Sequence, residues 1–246
     1  MPGDVEEMTP STLDSTLEAA LEETFMRTLL VTLLMLALAS CATGGVQDEA
    51  GFAPIFNGKD LDDWEYGTKN NAMKQGKGYQ VDPEQKIVYC TVHDGGNLYT
   101  KKEYGNFILR FDFKLTENAN NGIGIRAPLE GDAAYVGMEI QVLDDSGPAY
   151  KTLRPEQYHG SIYDVFACKR GFQKPVGEWN TEEIFADGPH VRITLNGTVI
   201  VDANLDDVKD EKKLKKHPGL KNLKGHIGFL GHGARVEFRN LRVKEL

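Results

Sequence analysis

The sequence predicts an all-β protein, an antiparallel sandwich or barrel in a single domain, on three observations. From Gly51 onward there is no long helical period. Short runs of period-two alternation recur instead. The chain's 26 glycines and 10 prolines supply turns between them. About two hundred residues of short strands bury a sizeable core in either architecture.

The clearest strand is 106–115, where Phe107, Leu109, Phe111, Phe113 and Leu115 alternate with Ile108, Arg110, Asp112 and Lys114, a half-buried face of period two. Further strands are expected at 86–92, 122–126, 136–143, 225–230 and 234–243. Val191, Ile193 and Leu195 repeat the alternation, and Asn196-Gly197 joins them to 198–203. Both turn residues tolerate positive φ, which predicts a type I′ hairpin. Segment 209–216, KDEKKLKK, reads as a solvated surface loop with at most one helical turn.

The chain of 246 residues carries 28 Lys+Arg against 37 Asp+Glu, net −9, with 40% hydrophobic residues, a balance that excludes a disordered polymer. Seven of the acids and one base precede residue 41, so the segment from Cys41 on has 30 acids and 27 bases and a net charge of −3. No basic patch stands out, so a nucleic-acid partner is not expected. Three cysteines are too few for a disulfide scaffold.

The N-terminus divides into pieces. Residues 1–25 are acidic and precede the MRTLLVTLLMLALASC run of residues 26–41. Arg27, the apolar stretch and the small residues before Cys41 resemble a bacterial lipoprotein signal, which implies cleavage before Cys41 and a lipid on its sulfur. Residues 1–25 are then expected to be a mis-assigned start ahead of Met26, or an N-terminal helical extension. Residues 26–40 are the signal, 41–50 a flexible tether and 51–246 the β domain. The resemblance implies a chain exported and anchored to a bacterial membrane through Cys41, on the periplasmic or cell-surface side; the alternative is an ordinary secretory signal whose cysteine is incidental.

Within the domain, Ile55-Phe56-Asn57-Gly58-Lys59-Asp60-Leu61 with Trp64 opens a series of motifs. It continues with Thr100 to Gly105 and Phe107, Asn121-Gly122-Ile123 leading to Arg126, and Gly137-Met138-Glu139-Ile140-Gln141-Val142-Leu143-Asp144. Gly177-Glu178-Trp179-Asn180, Leu195-Asn196-Gly197, Gly225-His226-Ile227-Gly228, His232-Gly233 and Phe238-Arg239-Asn240-Leu241 complete it. In that order, the set resembles the 3-keto-disaccharide hydrolase domain family over nearly all of 52–246. Asp62-Asp63 departs from the small residue or glycine usual before the tryptophan, at an expected surface turn. The resemblance implies a concanavalin A-like jelly roll whose concave face takes carbohydrate. It also implies cleavage of glycosides oxidised at C3, by elimination and hydration.

Glu139 and Gln141 share one face of their strand while Met138, Ile140 and Val142 face the other way. Gly122, Gly124 and Arg126 are similarly in phase, with glycines leaving room for a ligand and Arg126 a donor to its oxygens. An ordinary glycosidase needs two carboxyl groups across the bond, and no acidic pair is visible beside Glu139. A 3-keto sugar asks less, because the ketone acidifies the C2 proton. One base, one carbonyl ligand and one acid then suffice. The candidates are Glu139 or His159 as base, Arg126 and Gln141 as ketone and hydroxyl ligands, and Asp144, Tyr163, Asn180 and His232 as further substrate contacts.

Of the histidines at 93, 159, 190, 217, 226 and 232, His190 reads as structural and His217 as a loop residue. No pair has the spacing of a zinc helix motif, while Glu139, His159 and an Asp have the donor types for a divalent metal ion. Trp64, Tyr158, Tyr163 and Trp179 are candidates to stack on sugar rings, with core packing the better expectation for the two tryptophans. Cys90 and Cys168 either pair or, more blandly, stay free. The leading expectation is a 3-keto-glycoside hydrolase or lyase. The alternatives are a carbohydrate-binding module of the same fold, which needs no tuned base, or a structural lipoprotein.

Overall fold

The outward–inward alternation of residues 107–115 sets the frame. A computed structural model describes residues 49–68, 78–91 and 95–246, and Glu49–Leu246 forms one unit. The expected extension, signal and lipidated Cys41, as well as His93, lie outside the described residues.

The strands are β1 (Ala53–Pro54), β2 (Trp64–Tyr66), β3 (Tyr79–Asp82), β4 (Ile87–Cys90), β5 (Gly96–Tyr104), β6 (Phe107–Leu115) and β7 (Asn120–Ala127). β8 (Met138–Leu143), β9 (Trp179–Asp187), β10 (His190–Leu195), β11 (Thr198–Asn204), β12 (Gly225–Gly231) and β13 (Val236–Glu245) follow. They form two antiparallel sheets. One has eight strands in the order β11-β10-β9-β6-β13-β4-β3 with β1 on β13; the other runs β2-β5-β12-β7-β8.

The space between the sheets is the core. Phe107, Leu109, Phe111 and Phe113 enter it from β6, Ile123 and Ile125 from β7, Met138, Ile140 and Val142 from β8, and Phe229 from β12. Trp64 stacks on Phe229 (centroids 5.1 Å) and Phe229 on Phe238 (4.3 Å), joining the two sheets by aromatic contact. Each such ring contributes roughly 1.5–3 kcal/mol by burial alone. Trp64 is thus a core residue, as expected. Trp179 is not: it lies half-buried, with Lys114 at 5.0 Å and Arg239 at 4.0 Å from its ring.

Asn196 (φ 49°) and Gly197 (φ 85°) make the two-residue turn between β10 and β11. The expected strand 136–143 begins at Met138 as β8, and ahead of it lies a helical turn, α1 (Ala133–Val136), capped by Asp132, whose carboxylate accepts from the Ala134 N–H at 3.4 Å. Segment 209–216 contributes the short helix α2 (Glu211–Lys216), capped by Asp210. Cys90 and Cys168 are not joined in a disulfide.

Candidate active site

A cleft of about 400 Å³ opens on the outer face of the five-stranded sheet. Its floor follows from the phase of β8. With Met138, Ile140 and Val142 in the core, Glu139 and Gln141 must point outward, and both line the cleft. The β7 residues opposite them are Gly124, paired with Glu139, and Gly122, paired with Gln141. A Cβ on Gly122 would lie 2.1 Å from Glu139 Oε1, so the carboxylate lies directly over that glycine. The lack of a side chain at 122 gives Glu139 its position.

β8 is braced from its other side. The Tyr163 N–H donates to the Glu139 carbonyl (2.8 Å), Gly160 N–H to the Gln141 carbonyl (2.8 Å), and Gln141 N–H to the Ser161 carbonyl (3.0 Å). Segment 160–163 thus runs alongside β8 and brings Tyr163 into the cleft wall, where its hydroxyl accepts from Gln157 Nε2 at 3.0 Å. The facing wall is α1, which contributes Asp132, Ala134 and Tyr135. Asn97, Asn120, Leu230 and His232 complete the lining, with Gly67, Gly95, Gly96, Gly231 and Gly233 between them.

The site is polar and carries acid. Gln141 is 5% exposed, and its Oε1 has no hydrogen-bond partner among the described residues; the same holds for Asn120 Oδ1. A buried amide oxygen of this kind is poised for a ligand hydroxyl, since leaving it unmet costs about 1–3 kcal/mol. Beside the cleft, Tyr99 is fully buried. Burial pushes its phenol well up, against a hydrogen bond from Asn97, and the charges of Asp132 and Glu139 raise it further. It therefore stays a neutral phenol.

Of the residues singled out from sequence, Glu139, Gln141, Tyr163 and His232 meet in this cleft, whereas Arg126, His159, Asp144, Asn180 and Tyr158 do not. Arg126 is 1% exposed, with φ at +47°. Gly124 pairs with Gly228 but Ala127 pairs with His226, so β7 carries one extra residue in a bulge. The expected phase with Gly122 and Gly124 is broken there. The Arg126 guanidinium donates instead to the carbonyls of Gly105 (3.0 Å) and Gly188 (2.7 Å) and to Asn106 Oδ1 (3.2 Å).

His159 is a core residue. Its ring packs on Phe113 (centroids 4.9 Å), its Nδ1 accepts from the Leu143 N–H (3.3 Å), and its Nε2 is 3.2 Å from Glu182 Oε2. Nδ1 as acceptor places the proton on Nε2, facing Glu182. Of the two candidate bases, only Glu139 faces the cleft. Asp144 closes a turn, taking the Asn118 N–H (2.8 Å) and the Ser146 N–H (3.0 Å). Asn180 lies on β9 in the other sheet and accepts from Lys174 N–H (2.8 Å) and Asn196 Nδ2 (2.9 Å).

Tyr158 carries Arg170 over its ring at 3.5 Å and does not line the cleft. With Glu139 outside and His159 inside the sandwich, the metal donor set imagined from sequence is not assembled. Among the described residues no group of three His, Cys, Asp or Glu converges for a cation. Asp132, Tyr135, Asn97 and Asn120 are cleft residues that sequence reasoning missed. Asp132 before Ala-Ala was a legible helix cap; the others carried no signal.

Two packed antiparallel sheets with a polar cleft on the smaller one define a concanavalin A-like sandwich. A Bacillus subtilis protein of unknown function with a galectin-like fold superposes at a TM-score of 0.50, with 14% identity over 79% of this chain and 94% of that one. The chain belongs to the 3-keto-alpha-glucoside-1,2-lyase-like domain family, whose model matches residues 51–244. A 3-keto-disaccharide hydrolase of Bacteroides thetaiotaomicron is 26% identical over 249 residues, covering 81% of this chain and 80% of the relative. A candidate glycosyl hydrolase from Parabacteroides distasonis shares the fold at a TM-score of 0.64 and 24% identity, over 80% of this chain and 94% of that one.

Proposed function

We propose that this chain cleaves 3-keto-glycosides by elimination followed by hydration, with Glu139 as the general base. The observation that carries the reading is the Glu139 carboxylate seated over Gly122 in the cleft, beside a Gln141 amide oxygen that has no partner among the described residues, in a member of this family. In this reading Glu139 takes the C2 proton, made acidic by the neighbouring ketone. The electron pair forms the C1–C2 double bond as the C1–O bond breaks, and the leaving oxygen takes a proton. Tyr163 is the assigned donor, because its hydroxyl accepts from Gln157 and keeps its own proton for a ligand. Water then adds across the double bond. Gln141 and Asn120 hold ring hydroxyls.

The test is incubation with 3-keto-trehalose and with trehalose itself. Cleavage of the keto form alone, lost in Glu139→Gln with folding retained, is expected. Binding without turnover of either sugar would instead mark a carbohydrate-binding module, and a fully active Glu139→Gln would remove that residue from the chemistry.

The same reading anchors the domain to the membrane through a lipid on Cys41, supported by the residues 26–41 quoted above. Metabolic labelling with an alkyne fatty acid should tag the chain and fail to tag Cys41→Ala. Equal labelling of both would refute the anchor.

A further inference from the structure

The two walls of the cleft are bridged from behind by one buried histidine. His217 ends α2 and is 1% exposed. Its Nδ1 lies 3.2 Å from the Ala134 carbonyl oxygen in α1, and its Nε2 lies 3.2 Å from Asp164 Oδ2. Its ring packs on Tyr135, with centroids 5.1 Å apart. Ala134 and Tyr135 line one wall, and Asp164 directly follows Tyr163 in the other. Both oxygens are acceptors only. A neutral imidazole has one N–H and would leave a lone pair facing a lone pair; the imidazolium satisfies both contacts at once.

The Asp164 carboxylate that His217 meets is shared with two cations, Lys216 and Arg154. Asp164 is buried, which alone would raise its carboxyl. Hydrogen bonds from Lys216 and His217, with the charge of Arg154, hold it at about 2. Lys216 Nζ is 2.5 Å from Asp164 Oδ2, and Arg154 pairs with the other carboxylate oxygen. Backbone packing keeps the bridge close: a Cβ on Gly219 would lie 2.2 Å from the Gly137 carbonyl oxygen, and Asn222 Nδ2 donates to the Val136 carbonyl at 2.8 Å. Segment 217–222 therefore presses on the end of α1 while His217 reaches the opposite wall.

We infer that His217 is a positioning residue for the cleft: doubly protonated, it ties the Ala134–Tyr135 wall to the Asp164 that follows Tyr163 and thereby sets the spacing of the two tyrosines. The inference rests on the sugar reading only for its effect on turnover. The first arm of the test needs no substrate. Ring-nitrogen resonances of His217 at neutral pH should report protons on both nitrogens. In His217→Gln the ring resonances of both Tyr135 and Tyr163 should shift. One bare ring nitrogen, or an unmoved Tyr163, would overturn the inference.

The second arm reads turnover of 3-keto-trehalose. His217→Gln should lower kcat/KM roughly tenfold, mainly through KM, as a misplaced wall weakens positioning. Added imidazole should restore part of the loss in His217→Gly. If that variant does not fold, the glutamine variant decides. Unchanged kinetics in folded His217→Gln would refute the role. If the wild type leaves the keto sugar intact, the functional reading fails, and the resonance arm alone decides the bridge.

Discussion

Replacing Gly122 with alanine should damage catalysis while leaving the fold intact. The new methyl would sit 2.1 Å from Glu139 Oε1 and 2.8 Å from both Cδ and Cγ of the same side chain. Ordinary van der Waals contact begins near 3.4 Å, so the carboxylate must retreat by more than 1 Å. Gly122 does not have positive φ, so alanine meets no backbone strain there. The displaced group is the free end of a flexible side chain, which can rotate away at small energetic expense. Stability should therefore change by less than about 1 kcal/mol. With Glu139 in its proposed role as base, catalysis is less forgiving, because a displacement of about 1 Å in a positioned base lowers rate on the order of a hundredfold. The assay pairs kcat/KM for 3-keto-trehalose with a thermal melt of each variant. Gly124→Ala is the control, since the nearest atoms its methyl meets belong to the Leu230 side chain, Cδ2 at 3.3 Å and Cδ1 and Cγ at 3.6 Å, and not to Glu139. A Gly122→Ala enzyme within threefold of wild type would refute the argument that the bare glycine sets the carboxylate's place.

Other consequences can be checked together. Arg126→Ala should destabilise the domain by about 3 kcal/mol or more in urea denaturation, because it strands the Gly105 and Gly188 carbonyls and Asn106. His159→Leu should also cost about 3 kcal/mol by leaving Glu182 buried beside an apolar group, whereas His159→Leu with Glu182→Met should recover most of that loss. A double variant as unstable as the single would contradict this, and retained turnover in it would agree with the place of His159 outside the cleft. The Asp164 carboxyl titrates at about 2 in the fold against an ordinary 3.8, a depressed value. It therefore contributes about 2 kcal/mol above pH 4 that is lost as pH falls from 4 towards 2. Stability measured against pH should fall less steeply across that window in Asp164→Asn.

What could be read from the chain depended on whether neighbours in sequence carried the signal. β6, β10 and β8 were legible because apolar residues occupy every inward position, and the same phase put Glu139 and Gln141 outside. β9 was hidden, because its inward positions include Asn180 and Glu182, buried polar groups whose partners lie far along the chain. β5 was obscured by Lys101, Lys102 and Glu103, which lie on an exposed stretch of the strand. Arg126 was misplaced because one extra residue in β7 appears only in its pairing with β12, a strand a hundred residues later. His159 looked like a loop residue available to ligand, but its loop folds its ring back between the sheets. Asp132 and Tyr135 belong to a helical turn just ahead of the expected strand 136–143, a stretch for which the sequence predicts no element.

The segment beside β8 has a second consequence. β8 is the outermost strand of its sheet, and an uncovered outer strand offers its N–H and C=O groups to any passing chain. Segment 160–163 takes up the Gln141 N–H and the carbonyls of Glu139 and Gln141. The contact that steadies Glu139 therefore also shields the sheet from intermolecular pairing. Changes that loosen it to admit a bulkier sugar would expose an adhesive edge, so substrate range and solubility are bound to the same few hydrogen bonds.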